Sequence, residues 1–566
     1  MLVNEIYSNN EVINIETYLY KNKIKNIKEY LTPTGKYIEN SMLYKNMIEA
    51  IQLFKYHYLQ NSTVYILYDS DLDGYTSGTI MYQYMKMLNE DWNIKILLHN
   101  GKIRGLEDEE LFNRVIDEKP NLLIIPDANT NVVAQTRKVF DNGTDVLVLD
   151  HHEIQTPIDC GVLISNQFDD EEVDRNGSGC LVTHMFLRAL DNEFNVKYNQ
   201  WFVDMVSLSI ISDSMDVSSM QNREYLYYGV LYKDNIVNPF IKVLFDKFIG
   251  DYKEYTQRDI AFKIVPKFNA CIRTDDIELK QRICLALLNQ DNLEEVANLC
   301  EQAHQNQIKI VDDVIQNNMD AILSCGKNNL VVFASDDVPR SYSGLLAGKI
   351  KTLCNNKPTI VGSVKDGYMI GSLRSPIPLR EELDNNELVD WASGHENSAG
   401  IQIQVNNIQA LVEYYNIHKI TYMSHIDVLK SYSIKSIPAR LFGLFEPYNA
   451  LWNNSGLPKP KFHIRNIIFK PSDWSIMGKN KRTLKLHKEG IDIMIFNCLK
   501  KDKEYLQLGY YDSSGVFVCE PSNNKLQMDC VGELNVNEWN GQKKWQIIVY
   551  TFETKNYTNK KLGDIF

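Results

Sequence analysis

Thiol chemistry is scarce in this chain. Ten cysteines are scattered from Cys160 to Cys530 across 566 residues, and no two form a CxxC pair. That is too sparse for a disulfide scaffold and wrongly spaced for a thiolate zinc site. No apolar run approaches the roughly 18 residues of a membrane span, and the mean hydropathy is −0.31. The opening MLVNEIYSNNEVINIE has neither a basic n-region nor an apolar h-region, so no secretory signal is read there. No internal repeat or low-complexity tract stands out. The expectation is a reducing, cytoplasmic setting with no membrane association.

An excess of positive charge is missing as well. Sixty Lys and Arg face 73 Asp and Glu, a net of −13, which ordinarily weighs against a nucleic-acid binder. The average hides a split. Residues 421–566 carry 21 basic against 14 acidic side chains, net +7, whereas the first 420 hold 39 against 59, net −20. The two ends are built for different tasks.

With 44% apolar and 23% charged residues, the chain can bury three or four cores of roughly 100–200 residues each. Residues 1–60 read as a polar N-terminal extension. Over 61–235, short apolar runs end in polar turns: TVYILY (63–68), IKILL (94–98), NLLIIP (121–126), DVLVL (145–149) and GVLIS (161–165). Unalternated strands spaced by helix-length segments predict a parallel sheet covered on both faces, an α/β fold. Residues 236–325 read as a helical connector, most plainly over 276–325. A second α/β lobe follows over 326–420, with NLVVFAS and PTIVGSV as strands around a helix near 343–353. Over 421–566, short β-like runs such as FHIRNIIF, TLKLHK, GIDIMIF and KWQIIVYTFE suggest a small barrel or sandwich.

The acidic groups fall at the ends of these runs. TVYILY leads into DSDLDG, with Asp69, Asp71 and Asp73; NLLIIP ends at Asp127; DVLVL ends at Asp150, His151 and His152; VSLSIIS ends at Asp213. In a parallel sheet the carboxyl ends of the strands form the ligand crevice. Clustered carboxylates repel unless a cation sits among them. Carboxylates with imidazoles and no thiolate suit Mg²⁺ or Mn²⁺ better than zinc, and two such ions about 4 Å apart can activate water and clamp a phosphoryl oxygen. Singly, each motif has a plainer reading: an acidic turn, a strand-end cap, an incidental His pair. Their conjunction in one order is what points to a metal site.

DSDLDG, PDANT, LDHHE and IISDSMD, in that order, resemble the four motifs of the DHH phosphoesterase superfamily, most closely its RecJ-type single-strand-specific exonucleases. Behind them QNREYLYYG (221–229), VPKFNACIR (265–273), SYSGLLAGKI (341–350), GSLRS (371–375) and SGHENSAG (393–400) continue the likeness. The resemblance implies a parallel-sheet DHH catalytic domain, a helical connector, a DHHA1 substrate-binding domain and a C-terminal OB-like β-barrel that binds nucleic acid. It implies Asp71, Asp73, Asp127, His151 and Asp213 as metal ligands of two divalent ions, Mn²⁺ or Mg²⁺, with Asp127 as bridge. Asp69 and His152 are further ligands or phosphate contacts, and Asp150 orients an imidazole from behind. Ser393, Asn397, Ser398 and Ser212 depart from the family pattern without removing a ligand.

For the substrate, the resemblance implies Arg374, Ser375, Gly394 and His395 as nucleotide contacts, with Asn269 and Arg273 beside them. Without it, both glycine-rich stretches would read as turns. Between 459 and 488 nine basic residues, among them Lys481, Arg482 and Lys485, meet one acid, Asp473, and four of the seven tryptophans lie in the same third. Such a surface suits single strands, with phosphates on Lys and Arg and bases on aromatic rings; a solvated face over core tryptophans is the plainer alternative. Trp545 in KWQIIVY is expected in the core. The implied activity is metal-dependent 5′→3′ hydrolysis of single-stranded DNA to nucleotides in repair, recombination or replication. Single-strand-binding protein or a helicase are candidate partners, and a monomer is the default. Cleavage of short oligoribonucleotides or cyclic dinucleotides, or an inactive DNA-binding scaffold, remain as alternatives.

Overall fold

A computed structural model describes the chain except for residues 1, 9, 102, 170–171, 251–254, 419–425, 454, 479–482, 497–507, 512–516, 520–523, 540–541 and 558–566. Contacts divide it into two units, Lys28–Tyr422 and a second made of Met1–Ile27 with Met423–Phe566. The first 60 residues are therefore shared between them.

The larger unit begins with a five-stranded parallel sheet. Its order across the sheet is Ile94–Leu98, Val64–Tyr68, Leu122–Pro126, Asp145–Asp150, Val162–Ser165. All five residues of Val64–Tyr68 and of Leu122–Pro126 are buried, which is why these strands are continuous apolar runs rather than alternating ones. The next strand in sequence after Val64–Tyr68 pairs on one side of it, and the one after that on the other. This reversal opens a crevice at the carboxyl ends of the two strands. The helix Leu72–Leu88 packs so close that a Cβ on Gly78 would sit 2.3 Å from the Tyr68 ring.

Helices Pro239–Phe248, Gln257–Lys263, Val265–Ile272, Ile277–Leu287, the 25-residue Leu293–Asn317 and Met319–Cys325 follow. A second sheet has the order Trp391–His395, Ser398–Gln404, Tyr368–Arg374, Thr359–Lys365, Val331–Ala334. Alternate residues of its edge strand serve opposite faces, as a pleated strand requires. Val332 joins Leu373, Ile401, Leu411 and Tyr415 in one core. Val331 and Phe333 join Leu346, Ile350, Val311 and Ile315 in another. The long helix thus supplies part of the second lobe's core.

The other unit is built on a seven-stranded sheet, ordered Ser431–Ser433, Phe462–Phe469, Leu526–Trp539, Gln542–Asn556, Ile491–Ile495, Thr483–Lys488, Trp474–Met477. Among the described residues no ladder joins its two edge strands into a closed barrel. Register shifts at Ile464/Ile467 and Val531/Gly532 bend the long strands. Val3–Glu5 pairs in parallel with Ile426–Val428. Tyr18 donates its hydroxyl to Pro458 O at 2.6 Å and packs edge-on against Phe445 and Trp452. Among the described residues no helix is long and apolar enough to cross a membrane.

Candidate metal centre

The ligand candidates converge because each closes a sheet strand or opens or closes a helix at the same edge. Asp71 is the N-cap of Leu72–Leu88, its Oδ1 accepting the Gly74 N–H at 3.2 Å. Asp73 lies in the first turn and is buried. Both its oxygens are taken by another helix N-terminus: Gly179 N–H donates to Oδ2 and Cys180 N–H to Oδ1, each at 2.8 Å. That helix, Gly179–Phe194, is capped by Ser178. Asp127 follows its strand in the left-handed region, φ +67°, a conformation that costs a non-glycine residue about 1 kcal/mol or more and concentrates at functional sites. Asp213 is the C-cap of Val203–Ser212. The apolar run before it is a helix, so this carboxylate comes to the cluster from beside the sheet.

His151 Nε2 lies 3.3 Å from Asp127 Oδ1, 3.4 Å from Asp213 Oδ2 and 3.8 Å from Asp73 Oδ2. Ligand atoms of Asp73, His151 and Asp213 lie within 4.8 Å of one another, as do those of Asp69, Asp71 and Asp127 and of Asp127, His151 and His152. Asp127 belongs to two of these three groups. Buried Asp69 Oδ1, Asp127 Oδ1 and Asp213 Oδ2 accept no hydrogen bond. Burying such acceptors is costly unless something else satisfies them. Burial and the charge of Asp213 and Asp71 push Asp73 up to about 8. Burial, Asp73 and Asp71 drive Asp127 well above the carboxylate range, and burial with Asp71 raises Asp69. Asp71 alone goes down: burial opposes ionisation, but the guanidiniums of Arg273 and Arg104 outweigh it. Oxygen-rich, thiolate-free and proton-hungry, the site fits hard divalent cations.

Asp150 is no part of these groups. It accepts from Thr130 N–H and Oγ1 (3.0 and 2.6 Å), from His151 N–H (2.7 Å) and from His152 Nδ1 (2.8 Å). Burial would raise it, yet His152 and Thr130 hold it well below the usual carboxylate value. In turn His152 is pushed up to about 9, Asp150 overcoming the effect of burial.

Two of the sequence-derived nucleotide contacts approach this edge. Arg273 Nη2 lies 3.6 Å from Asp71 Oδ2, and buried Asn269 Oδ1, one helical turn earlier, accepts no hydrogen bond. Arg374 closes the strand Tyr368–Arg374; burial and then the Arg273 charge pull its pKa down. A Cβ on Gly344 would sit 2.6 Å from Arg374 Nη2. Ser375 braces the neighbouring hairpin, its N–H donating to Asn397 O at 2.9 Å. Gly394 has φ +126°, and a Cβ there would lie 3.1 Å from Ser398 O. His395 ends Trp391–His395. Arg380 joins Glu396 at 2.5 Å and Glu153, just after His152, at 3.8 Å. A cavity of about 270 Å³ beside Asp213 is lined by Arg175, Asn176, Ser214, Met215 and Asp216.

In the other unit Lys485 Nζ pairs with buried Asp492 Oδ2 at 2.7 Å; Lys481 and Arg482 lie outside the described residues. Trp452 and Trp474 are buried. Trp545 is not the core residue expected: it is 41% exposed and stacks on Phe442, centroids 5.0 Å apart and planes 7° apart. It shares the face of Ile547 and Val549 but lies near the strand's start, where residues 542–545 are all exposed. Sequence reasoning missed Ser178 and Gly179, whose only signal is NGSG before an apolar helix. It also missed Arg104, whose Nη1 is 3.3 Å from His152 Nε2. Burial acts against that guanidinium's charge, but Asp69, Asp71, Asp127 and Asp213 hold it more firmly protonated than usual.

Comparison with known proteins follows this division. Residues 63–210 match the family model described as DHH family, N-terminal domain, and residues 455–551 the RecJ OB domain. The chain thus carries a DHH-family N-terminal domain and a RecJ OB domain. The putative SPbeta prophage-derived single-strand DNA-specific exonuclease YorK of Bacillus subtilis is 24% identical over 555 residues, 91% of this chain and 92% of that one. The single-stranded-DNA-specific exonuclease RecJ of the same organism is 22% identical, over 89% of this chain and 63% of that protein. Among solved structures, RecJ in complex with Mn²⁺ from Thermus thermophilus superposes with TM-score 0.74 at 18% identity, covering 95% of this chain and 76% of that one. An exonuclease RecJ bound to manganese reaches 0.52 at 18% identity, over 66% of this chain and 94% of its own. The DHH part coincides with the parallel sheet and its acidic edge, and the OB part with the sheet that carries the basic stretch.

Proposed function

We propose that this RecJ-type chain is a divalent-metal-dependent exonuclease that degrades single-stranded DNA from its 5′ end to nucleotides, in DNA repair, recombination or replication. The observation that carries the reading is the edge where Asp73, Asp127 and Asp213 crowd around His151, with buried oxygens of Asp127 and Asp213 that accept no hydrogen bond. The names of the relatives, single-strand DNA-specific exonucleases, support the substrate class.

Two ions are the natural load for these groups. Asp73, His151 and Asp213 would hold one, Asp69 and Asp71 the other, with Asp127 between them. Such ions, when bound, lower the pKa of water and polarise the phosphoryl oxygen. The chain's own residues do the rest. The N-terminus of Gly179–Phe194 fixes the Asp73 carboxylate from behind. Asp150 sets the His152 ring, so that its Nε2 faces outward beside Arg104. Arg273 and Arg374 provide planar forks for phosphate oxygens further along the strand. The second unit, with its basic stretch and exposed Trp545, supplies the surface for a polymeric substrate.

Asp127→Ala tests this reading. Mn²⁺-dependent digestion of a 5′-labelled single strand is expected to fall at least about a thousandfold, with single-strand affinity by filter binding kept within a few fold. Near-normal Mn²⁺-dependent cleavage by the variant would remove the site from contention.

A further inference from the structure

The loop after Ile94–Leu98 is pinned at several points. Ser70 Oγ donates to Ile103 O at 2.9 Å. Lys280 Nζ, from the helix Ile277–Leu287, donates to His99 O at 2.8 Å and Gly101 O at 2.9 Å. Asn129 Oδ1 accepts the Leu106 N–H at 3.1 Å, and His99 Nδ1 lies 2.9 Å from Asp108 Oδ2. Gly105 turns the chain at φ +46°, where a Cβ would meet Asn129 Oδ1 at 2.8 Å. Two of these anchors are built into the ligand-bearing segments: Ser70 stands between Asp69 and Asp71, and Asn129 two residues past Asp127.

What the loop presents is Arg104, whose Nη1 lies 3.3 Å from His152 Nε2. Its charge is felt by Asp69 and Asp71. Among the described residues, though, no carboxylate oxygen comes within 4 Å of this guanidinium. Neutralising an acidic cluster would call for direct pairs, and a loop fastened this firmly could have made them. Instead the fork lies next to an imidazole fixed by Asp150. A planar, multiply donating cation held beside the acidic edge but paired with none of its described carboxylates matches the non-bridging oxygens of a phosphate.

We propose that Arg104 is a substrate-binding residue, gripping a non-bridging oxygen of the phosphate being cut, beside His152. The proposal rests on the nuclease reading above for the identity of the ligand. Arg374 and Arg273, on other elements, take phosphates elsewhere on the strand.

The test uses the full chain and deoxythymidine 5′-monophosphate, a product whose phosphate occupies the cleavage position. Wild type, Arg104→Met and Arg104→Lys are compared by calorimetry for dTMP in the presence of Mn²⁺ and for Mn²⁺ alone, with single-turnover cleavage alongside. Arg104→Met is expected to weaken dTMP by about tenfold to a hundredfold, the range of one charge-assisted pair. Mn²⁺ affinity should hold or rise, because a cation has left the acidic cluster. Arg104→Lys should restore part of the dTMP affinity. Unchanged dTMP affinity in Arg104→Met, or a fall in Mn²⁺ affinity in step with dTMP, would overturn the proposal; the second would make Arg104 a shaper of the metal centre. Because dTMP binding is read separately, it decides Arg104 even for a wild type that cuts no DNA, an outcome that would instead defeat the nuclease reading.

Discussion

Two polar regions of this chain manage charge in opposite ways. At the edge of the parallel sheet, like-charged carboxylates are buried together, and three of their oxygens accept no hydrogen bond. In the seven-stranded sheet and beside it, each buried carboxylate has a cation: Lys485 pairs with Asp492 and Lys459 with Glu533, while Lys461 lies over the Tyr550 ring. The first region is unstable by design until a cation arrives. The second has its charges met as it stands and leaves Trp545 41% exposed. Chemistry and grip are thus separable, and substitutions should affect one while sparing the other.

The contrast is broken most severely from behind the acidic edge. Gly179 approaches Asp127 so closely that a Cβ would lie 2.2 Å from its Oδ1. Gly179→Ala should displace that carboxylate and weaken Mn²⁺ by about 10–100-fold, as lost supporting contacts do, with single-strand binding unaltered; calorimetry and filter binding read the two. On the other sheet, Trp545→Ala should weaken single-strand affinity by roughly fivefold to a hundredfold if one base stacks there, leaving Mn²⁺ affinity and the salt slope of binding as they were.

A smaller effect sharpens the first half of the comparison. Asp73 titrates near 8 in the metal-free fold against a reference of 3.8. Between those values the folded state binds more protons than the unfolded, so stability from this group is present at low pH and lost as pH rises towards 8. EDTA-treated protein should therefore lose stability relative to Asp73→Asn as pH goes from 5 to 8. Mn²⁺ should restore it, the melting-temperature gain widening across the same interval. Lys485→Met should matter least to DNA, with affinity within about threefold because its ammonium is already committed to Asp492. Thermal unfolding should report about 1–3 kcal/mol lost as that buried carboxylate loses a partner.

The strands of the parallel sheet were legible because strands buried on both faces must be apolar throughout, and residues that end them must lie on one edge. That rule alone exposed Asp69, Asp71, Asp127 and the Asp150–His152 run. Two of the second lobe's strands and its helix were visible as apolar runs, whereas Tyr368–Arg374, Trp391–His395 and Ser398–Gln404 were not, their glycine-rich stretches reading as turns. Less legible were features defined by distance rather than by pattern. Gly179 sits in a sequence that could be any loop, and its role exists only because Asp73 and Asp127 fold against it. Arg104 lies over 40 residues from His152 with no motif between them. Trp545 obeys the alternation of its strand, yet strand-end position, which periodicity does not encode, leaves it in reach of solvent. The long strand Leu526–Trp539 was not among the runs singled out from the sequence, and it is recognised only beside its partner Gln542–Asn556.

The pairing of Val3–Glu5 with Ile426–Val428, and of Tyr18 with Pro458, bears on how the chain is made. The unit Lys28–Tyr422 is an insertion, bracketed by two parts of another fold. During synthesis at ~5–20 residues per second, the leading strand waits for upwards of twenty seconds before its partner leaves the ribosome, and the interposed unit has time to fold first. Order of assembly is written into the connectivity: the unit with the acidic edge can fold early, and the split unit only once its returning strands have emerged.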